Sequence, residues 1–186
     1  FFPPDPASSS ACTIGGMVNT NAAGNRTIKY GSTREYVLWL EAVAPSGHIF
    51  QTGSKTLKSV SGYDLTRLIV GSEGSLSVVT KIGLKVVPVP EHYATAVLIY
   101  DKVDALEKTA MKIRRAGVIP EMLEFIDEKT TLASFEYANV KGLPTGNFML
   151  LDCGGEKEAV KSTLEKCVSI CKQEKPQYLE KTNDRA

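Results

Sequence analysis

The chain has 186 residues, of which 42% are hydrophobic and 23% are charged, and this composition excludes a disordered or fibrous protein. Its 22 Lys and Arg and 21 Asp and Glu leave a formal net charge of +1. A balance this close to zero argues against duplex DNA or an anionic membrane as the main partner, because both attract an excess of basic residues. No apolar run approaches the roughly 20 residues that a membrane-spanning helix needs.

The first half of the chain predicts a mixed α and β segment with long glycine-containing loops. A strand is predicted over 36–44, a turn over 45–47 and its hairpin partner over 48–52. Two further β-rich runs are expected at 76–82 and 84–87, where apolar and polar residues alternate. The stiff Pro88-Val89-Pro90 connector predicts two domains, 1–88 and 91–186.

The second half repeats a strand-and-helix pattern. Strands are expected at 94–100, 122–126 and 148–152. Helices are expected from Val103 to Gly117, after Asp127 and around 160–171. This order predicts an α+β domain with a ferredoxin-like layer of helices on one sheet. The polar stretch 172–186 is expected to fray or to continue into further sequence.

The four cysteines are too few and too scattered for a disulfide scaffold. Cys12, Cys153, Cys167 and Cys171 also lack further ligands nearby in sequence, so no metal site is expected. We expect buried free thiols and a reducing, cytoplasmic compartment. The chain begins with Phe1 and shows no signal-peptide pattern, which leaves a processed chain or a piece of a longer protein, and we favour the piece.

Three stretches of the first half combine residues that suit ligand binding. They are Pro3-Pro4-Asp5-Pro6, Thr13-Ile14-Gly15-Gly16 followed by Asn21-Ala22-Ala23-Gly24, and Gly62-Tyr63-Asp64-Leu65 followed by Gly71-Ser72-Glu73-Gly74-Ser75-Leu76. Paired glycines let backbone N–H groups approach an anion such as a diphosphate, although they also serve tight turns. The spacings of the P-loop, of G-x-G-x-x-G and of G-x-S-x-G do not occur. The stretches could therefore converge on one elongated ligand.

In this order and spacing, P-P-D-P-x-S, T-I-G-G, N-A-x-G, Lys29-Tyr30-Gly31, S-G-Y-D-L and G-S-E-G-S-L resemble the vanillyl-alcohol-oxidase type FAD-binding family. The nearest branch is that of glycolate oxidase large subunits and D-lactate or D-2-hydroxyglutarate dehydrogenases. The resemblance covers nearly the whole chain. It implies that residues 1–88 form the later part of an FAD-binding domain and that residues 91–186 begin a cap domain.

The resemblance also implies which residues contact FAD. Pro4, Asp5 and Ser8 match the loop that lies along FAD; Thr13, Ile14, Gly15 and Gly16 match the loop around its pyrophosphate and flavin; Asn21 and Gly24 match the turn that follows; and Glu73, Gly74 and Val79 match the segment near its adenosine end. Ala23 replaces a glycine that is common in the family, and its methyl group is expected to crowd the backbone there. His48 and His92 do not match the family's metal and substrate motif, so neither is expected to be catalytic, and the catalytic residues stay unassigned.

The implied activity of the parent protein is FAD-dependent oxidation of a small 2-hydroxy acid, of the glycolate or D-lactate type, by hydride transfer to the flavin. The chain alone is expected to be inactive. Expected partners are FAD, the hydroxy acid and a partner subunit or second copy, without nucleic acid. Two alternatives stay open: another flavoenzyme of this type, such as an aromatic-alcohol oxidase or ether-lipid synthase, and a non-catalytic truncated module.

Overall fold

The computed structural model describes residues 1–182 and divides the chain into two compact units, Phe1–Pro88 and Val89 onward. The first unit contains helices α1 (Ile14–Thr20) and α2 (Thr27–Tyr30), a 3₁₀ helix (Thr33–Tyr36), strands β1 (Val37–Val43) and β2 (Ile49–Gly53), helix α3 (Leu65–Ile69) and strand β3 (Val78–Leu84). The second unit contains β4 (His92–Tyr100), α4 (Val103–Arg115), β5 (Met122–Ile126), α5 (Glu128–Tyr137), β6 (Asn147–Gly155), α6 (Lys157–Gln173) and β7 (Tyr178–Thr182).

The sheet of the first unit has the antiparallel order β2-β1-β3. The predicted hairpin is confirmed, with Ala42 opposite Phe50. The first run predicted near 76–87 is confirmed as strand β3, which extends through Gly83, whereas the second run, over 84–87, does not form a separate strand. This glycine accommodates a neighbouring ring: a Cβ atom there would lie 1.8 Å from Nε1 of Trp39 on β1.

Burial of one side of α1 and α3 against this sheet forms the core of the first unit. Its buried members are Val18, Val37, Leu40, Ile69 and Val70, with Phe50, Val79, Ile82 and Leu84 packed around them. Removal of this apolar surface from water supplies the main driving force for folding. The core therefore fixes α1 and the end of α3 on the same small sheet.

The second unit is a four-stranded antiparallel sheet in the order β5-β6-β4-β7. With α4 and α6 in the connections, this order is that of a ferredoxin-like fold, and α5 is an added helix between β5 and β6. The predicted strand at 122–126 is confirmed at both ends. The core lies between the sheet and the two main helices and includes Leu98, Leu106, Leu151 and Leu164.

The expectation that the chain frays after residue 172 was wrong, because β7 pairs with β4 and places Leu179 opposite Leu98. Glu180 and Lys181 of this strand are exposed, so β7 lacks the run of apolar residues that marks a buried strand. Its formation depends on a partner more than 70 residues away in sequence. The rest of that prediction, residues 183–186, lies outside the described residues.

Three of the four cysteines are buried free thiols, as predicted, while Cys12 is half-buried. A hydrogen bond with the Cys153 thiol, together with burial, raises the pKa of Cys167, and burial raises the pKa of Cys171 to about 11. These thiols are therefore protonated at neutral pH. Across residues 1–182, no helix is long and apolar enough to span a membrane. Within that same part of the chain, no group of His, Cys, Asp and Glu side chains could hold a metal ion.

Asp127 caps α5 and gives a test of the fold by pH. The hydroxyl and the backbone N–H of Thr130 hold the pKa of Asp127 below its ordinary value of 3.8. A lowered folded-state pKa stabilises the fold above the ordinary value, and this stabilisation is lost as pH falls through the folded-state pKa. We expect wild type to melt above Asp127→Asn near pH 7, and the difference to shrink as pH falls below 3.8. Thermal unfolding of both proteins across this range checks the prediction, and a difference independent of pH would contradict it.

Candidate functional site

Helix α1 is the centre of the candidate site. Thr13 precedes the helix, and its Oγ1 accepts a hydrogen bond of 3.0 Å from the backbone N–H of Gly16. Ile14, Gly15 and Gly16, which the family resemblance placed in a loop, are instead the first helical turn. The Thr13 cap and the burial of Met17 and Val18 offset the poor helix propensity of two glycines.

The two glycines leave the first turn of α1 without side-chain cover. Ile14 and Gly16 are exposed and Gly15 is half-buried. A Cβ atom at Gly15 would meet nothing closer than 3.9 Å, and one at Gly16 would lie 3.3 Å from Thr13 Oγ1. The backbone of this turn is therefore accessible to a ligand.

The segment that contains Asp5 packs directly against the turn after α1. A Cβ atom at Gly24 would lie 1.7 Å from the backbone oxygen of Asp5, so only glycine permits this approach. The Asp5 carboxylate also pairs with Arg26 Nε at 3.4 Å. Ala23 is exposed and does not adopt a positive φ, so the close approach of the backbone falls at Gly24, and the fold accepts the methyl group of Ala23.

A second loop, Gly71–Gly74, is attached to the C-terminal half of α1. The N–H of Gly71 donates to Val18 O at 3.0 Å, and the N–H of Glu73 donates to Asn19 O at 2.9 Å. Gly71, Glu73 and Gly74 all have positive φ, at 85°, 52° and 76°. The loop therefore turns sharply at the end of α1, in a conformation that glycine adopts without strain.

Asn21 ends α1 in the left-handed conformation, with φ of 50°. Its side-chain oxygen accepts from Ser32 Oγ at 3.0 Å and from the N–H of Arg34 at 2.9 Å. This oxygen thus has two partners inside the protein. The structure gives Asn21 the role of joining α1 to the following 3₁₀ helix.

The structure brings most of the predicted residues to one region. Hydrogen bonds connect α1 to the loop that holds Glu73 and Gly74. In the turn after α1, Gly24 packs against Asp5, and Arg26 forms an ion pair with Asp5. Ser8 is exposed in the turn before α1, where its carbonyl accepts from Ala11 and Cys12. Pro4 is buried, and Val79 packs into the core of the first unit. Their contacts with a cofactor stay predictions.

Three polar atoms in this region were missed by reasoning from sequence. Asn19 Oδ1, Arg34 Nε and Ser72 Oγ are buried and have no hydrogen-bond partner within the described part of the chain. They include an acceptor, a donor and a hydroxyl that can do both. The three residues lie in the Gly71–Gly74 loop or are bonded to it or to Val70 just before it, and this mixed set of polar atoms fits a polar ligand with phosphate and hydroxyl groups. Ser72 lies within the G-S-E-G-S-L motif, but the sequence gives no sign that Asn19 Oδ1 and Arg34 Nε are buried.

The stretch around Gly62 has a separate structural role. Asp64 caps α3 by accepting from the N–H of Arg67 at 3.0 Å. Tyr63 beside it is 96% exposed. The loop from Ser54 to Asp64 lines a shallow cavity of ≈ 280 Å³. The histidines are elsewhere: His48 is exposed in the β1–β2 turn and His92 is exposed at the start of β4.

Comparison with known protein families identifies the class to which this architecture belongs. Residues 89–183 match the model of the C-terminal domain of FAD linked oxidases, and residues 1–53 match the model of an FAD binding domain. The chain therefore belongs to the FAD-linked oxidases, and its cofactor is FAD.

Within this family, the chain is 47% identical over 174 residues to glycolate oxidase subunit GlcD of Bacillus subtilis, covering 92% of this chain and 37% of that protein. It is 40% identical over 128 residues to D-lactate dehydrogenase of Archaeoglobus fulgidus, covering 69% of this chain and 28% of that protein. The chain thus spans only 28–37% of the length of these two relatives.

Solved structures with the same architecture share much less sequence. Alkyldihydroxyacetonephosphate synthase aligns over 95% of this chain and 36% of its own, at 21% identity and a TM-score of 0.75. P-cresol methylhydroxylase aligns over 95% of this chain and 40% of its own, at 15% identity and a TM-score of 0.76. Together with the family models, these likenesses confirm the predicted fold class: part of an FAD-binding domain of the vanillyl-alcohol-oxidase type followed by a ferredoxin-like cap.

The cap of α1 can be tested separately from cofactor binding. Thr13→Ala removes the acceptor for the Gly16 N–H, and we expect a loss of about 1 kcal/mol in stability. Thr13→Ser retains the acceptor and is expected to stay within a few tenths of a kcal/mol of wild type. Urea denaturation of the three proteins measures the difference. Equal stability of the alanine and serine variants would contradict the capping role.

Proposed function

We propose that the flavoprotein containing this chain oxidises a small 2-hydroxy acid of the glycolate or D-lactate type. Bound FAD would accept a hydride from the carbon that carries the hydroxyl group. The relatives named glycolate oxidase and D-lactate dehydrogenase support this reaction. The observation that carries the proposal for this chain is the convergence of the Asp5 segment, α1 and the Gly71–Gly74 loop on one region.

In this proposal, the residues of the region divide into two groups. Ser8, Thr13, Ile14 and Gly16 are exposed and contact FAD directly, and the uncovered backbone of Gly15 lets the diphosphate approach. Asp5, Asn21 and Gly24 shape the site, since the side chains of Asp5 and Asn21 bind protein groups and Gly24 packs against backbone. Glu73 and Gly74 contact the adenosine end, while Pro4 and Val79 support the site from the buried side.

Anaerobic reduction of the bound flavin tests the reaction directly. The flavoprotein is mixed with glycolate, D-lactate, L-lactate or an aromatic alcohol, and the flavin absorbance is followed in a stopped-flow instrument. We expect glycolate or D-lactate to bleach the flavin, and L-lactate, which serves as the matched control, to react far more slowly. Bleaching by the aromatic alcohol without reaction of any 2-hydroxy acid would contradict the proposed substrate class.

Two further properties belong to the same proposal. The name of the Bacillus subtilis relative designates a subunit, and this supports assembly with a partner subunit or a second copy. The three buried free thiols are compatible with a reducing compartment such as the cytoplasm. Light scattering on the purified flavoprotein measures its assembly, and cell fractionation measures its compartment.

A further inference from the structure

Arg34 lies where three segments of the first unit meet. It belongs to the 3₁₀ helix that leads into β1. Its backbone N–H donates to Asn21 Oδ1 at 2.9 Å, and its Nη2 donates to Val70 O at 2.8 Å. One residue thereby connects the end of α1, the 3₁₀ helix and the chain that enters the Gly71–Gly74 loop.

The guanidinium group packs closely against the start of this loop. A Cβ atom at Gly71 would lie 3.1 Å from Arg34 Nη2 and 3.0 Å from Asn21 Cβ, and Gly71 has a φ of 85°. The position of Arg34 thus restricts both the residue type and the backbone at Gly71. Gly71 is also the first residue of the loop that is bonded to α1, through the amides of Gly71 and Glu73.

The charge environment of Arg34 differs from that of its neighbours. Arg26 pairs with Asp5 and Arg67 pairs with Glu35, whereas no carboxylate among residues 1–182 pairs with Arg34. Its Nε is buried without a partner in that range, as is Ser72 Oγ in the adjoining loop. A guanidinium that has a carbonyl as its side-chain partner keeps its full positive charge and spare donors.

We propose that Arg34 is a positioning residue for the cofactor: it holds the Gly71–Gly74 loop on α1, so that both present their backbones to FAD together. This inference rests on the proposed FAD contacts of α1 and of the loop. Lysine is not expected to replace Arg34 fully, because its tetrahedral ammonium does not reproduce the planar group that donates to Val70 O and packs against Gly71.

The positioning itself is tested without FAD. Amide hydrogen exchange at Gly71 and Glu73 is measured by NMR in wild type, Arg34→Lys and Arg34→Ala. We expect exchange at least about tenfold faster in both variants, which corresponds to about 1.4 kcal/mol, and restoration in the alanine variant by methylguanidinium but not by methylammonium. Arg67→Ala, which breaks an exposed ion pair, is the matched control and should leave both amides unchanged. Unchanged exchange at Gly71 and Glu73 in the Arg34 variants would overturn the proposal; the lysine variant decides if the alanine variant fails to fold.

The consequence for the cofactor is tested by titration with FAD. We expect the Arg34 variants to bind FAD at least about tenfold more weakly than wild type and Arg67→Ala. Faster exchange with an unchanged FAD dissociation constant would overturn the role of Arg34 toward the cofactor. Failure of wild type to bind FAD would instead contradict the proposed cofactor contacts, while the exchange experiment would still decide whether Arg34 holds the loop.

Discussion

Gly24→Ala is expected to lower the free energy of unfolding by about 3 kcal/mol and to weaken FAD binding at the same time. The added Cβ atom would lie 1.7 Å from Asp5 O, 2.3 Å from Asp5 C and 2.8 Å from Pro6 N. All three are backbone atoms, so no side-chain rotation relieves the overlap. The segment that contains Asp5 and Pro6 must therefore move away from the turn after α1.

Urea denaturation and FAD titration measure the two effects of this substitution. The matched control is Ala23→Gly, one residue away, which removes a methyl group at an exposed position where Gly24→Ala adds one at a packed position. We expect the control to cost less than about 1 kcal/mol. A Gly24→Ala protein as stable as wild type would contradict the close packing of the Asp5 segment on this turn.

Leu98→Ala is expected to cost about 2–5 kcal/mol in the second unit. Leu98 is 0% exposed on β4, a central strand, and lies opposite Met149 on β6 and Leu179 on β7. Truncation leaves a cavity that the two flanking strands cannot close without losing their pairing. Since domains are commonly stable by only about 5–15 kcal/mol, this loss removes a large share of the stability.

A shift of the denaturation midpoint with an unchanged slope would report this loss. Leu68→Ala is the control: Leu68 is 61% exposed, and its truncation is expected to stay within about 0.5 kcal/mol of wild type. A cost below about 1 kcal/mol for Leu98→Ala would contradict the assignment of this side chain to the core.

Elements that are specified locally could be predicted from the sequence. β5 has its predicted bounds because a short apolar run ends at Asp127, which caps the next helix. β7 could not be predicted, since an exposed, polar edge strand forms through its pairing with β4. Helix α1 was also missed, because its two glycines disfavour a helix. The burial of Val18 against residues that are distant in sequence favours the helix, and the local sequence does not show this contact.

The candidate site could be predicted only in part, because some of its contacts join residues that are distant in sequence. Motifs along the chain placed α1 and the Gly71–Gly74 loop in one functional region, and hydrogen bonds between them agree with that. Sequence could not show that the Asn21 carboxamide serves the fold or that Gly24 touches Asp5. Arg34 was missed altogether, because its role depends on Asn21 and on Val70, which are 13 and 36 residues away.

The proposed function requires that FAD lie against α1 and the Gly71–Gly74 loop. Hydrogen exchange of the protein with and without saturating FAD, resolved by mass spectrometry of peptides, measures this contact. We expect FAD to slow exchange in peptides covering residues 8–21 and 71–74 and to leave exchange in α4 and α6 unchanged. Unaltered exchange in both of those segments, or protection confined to the second unit, would contradict it.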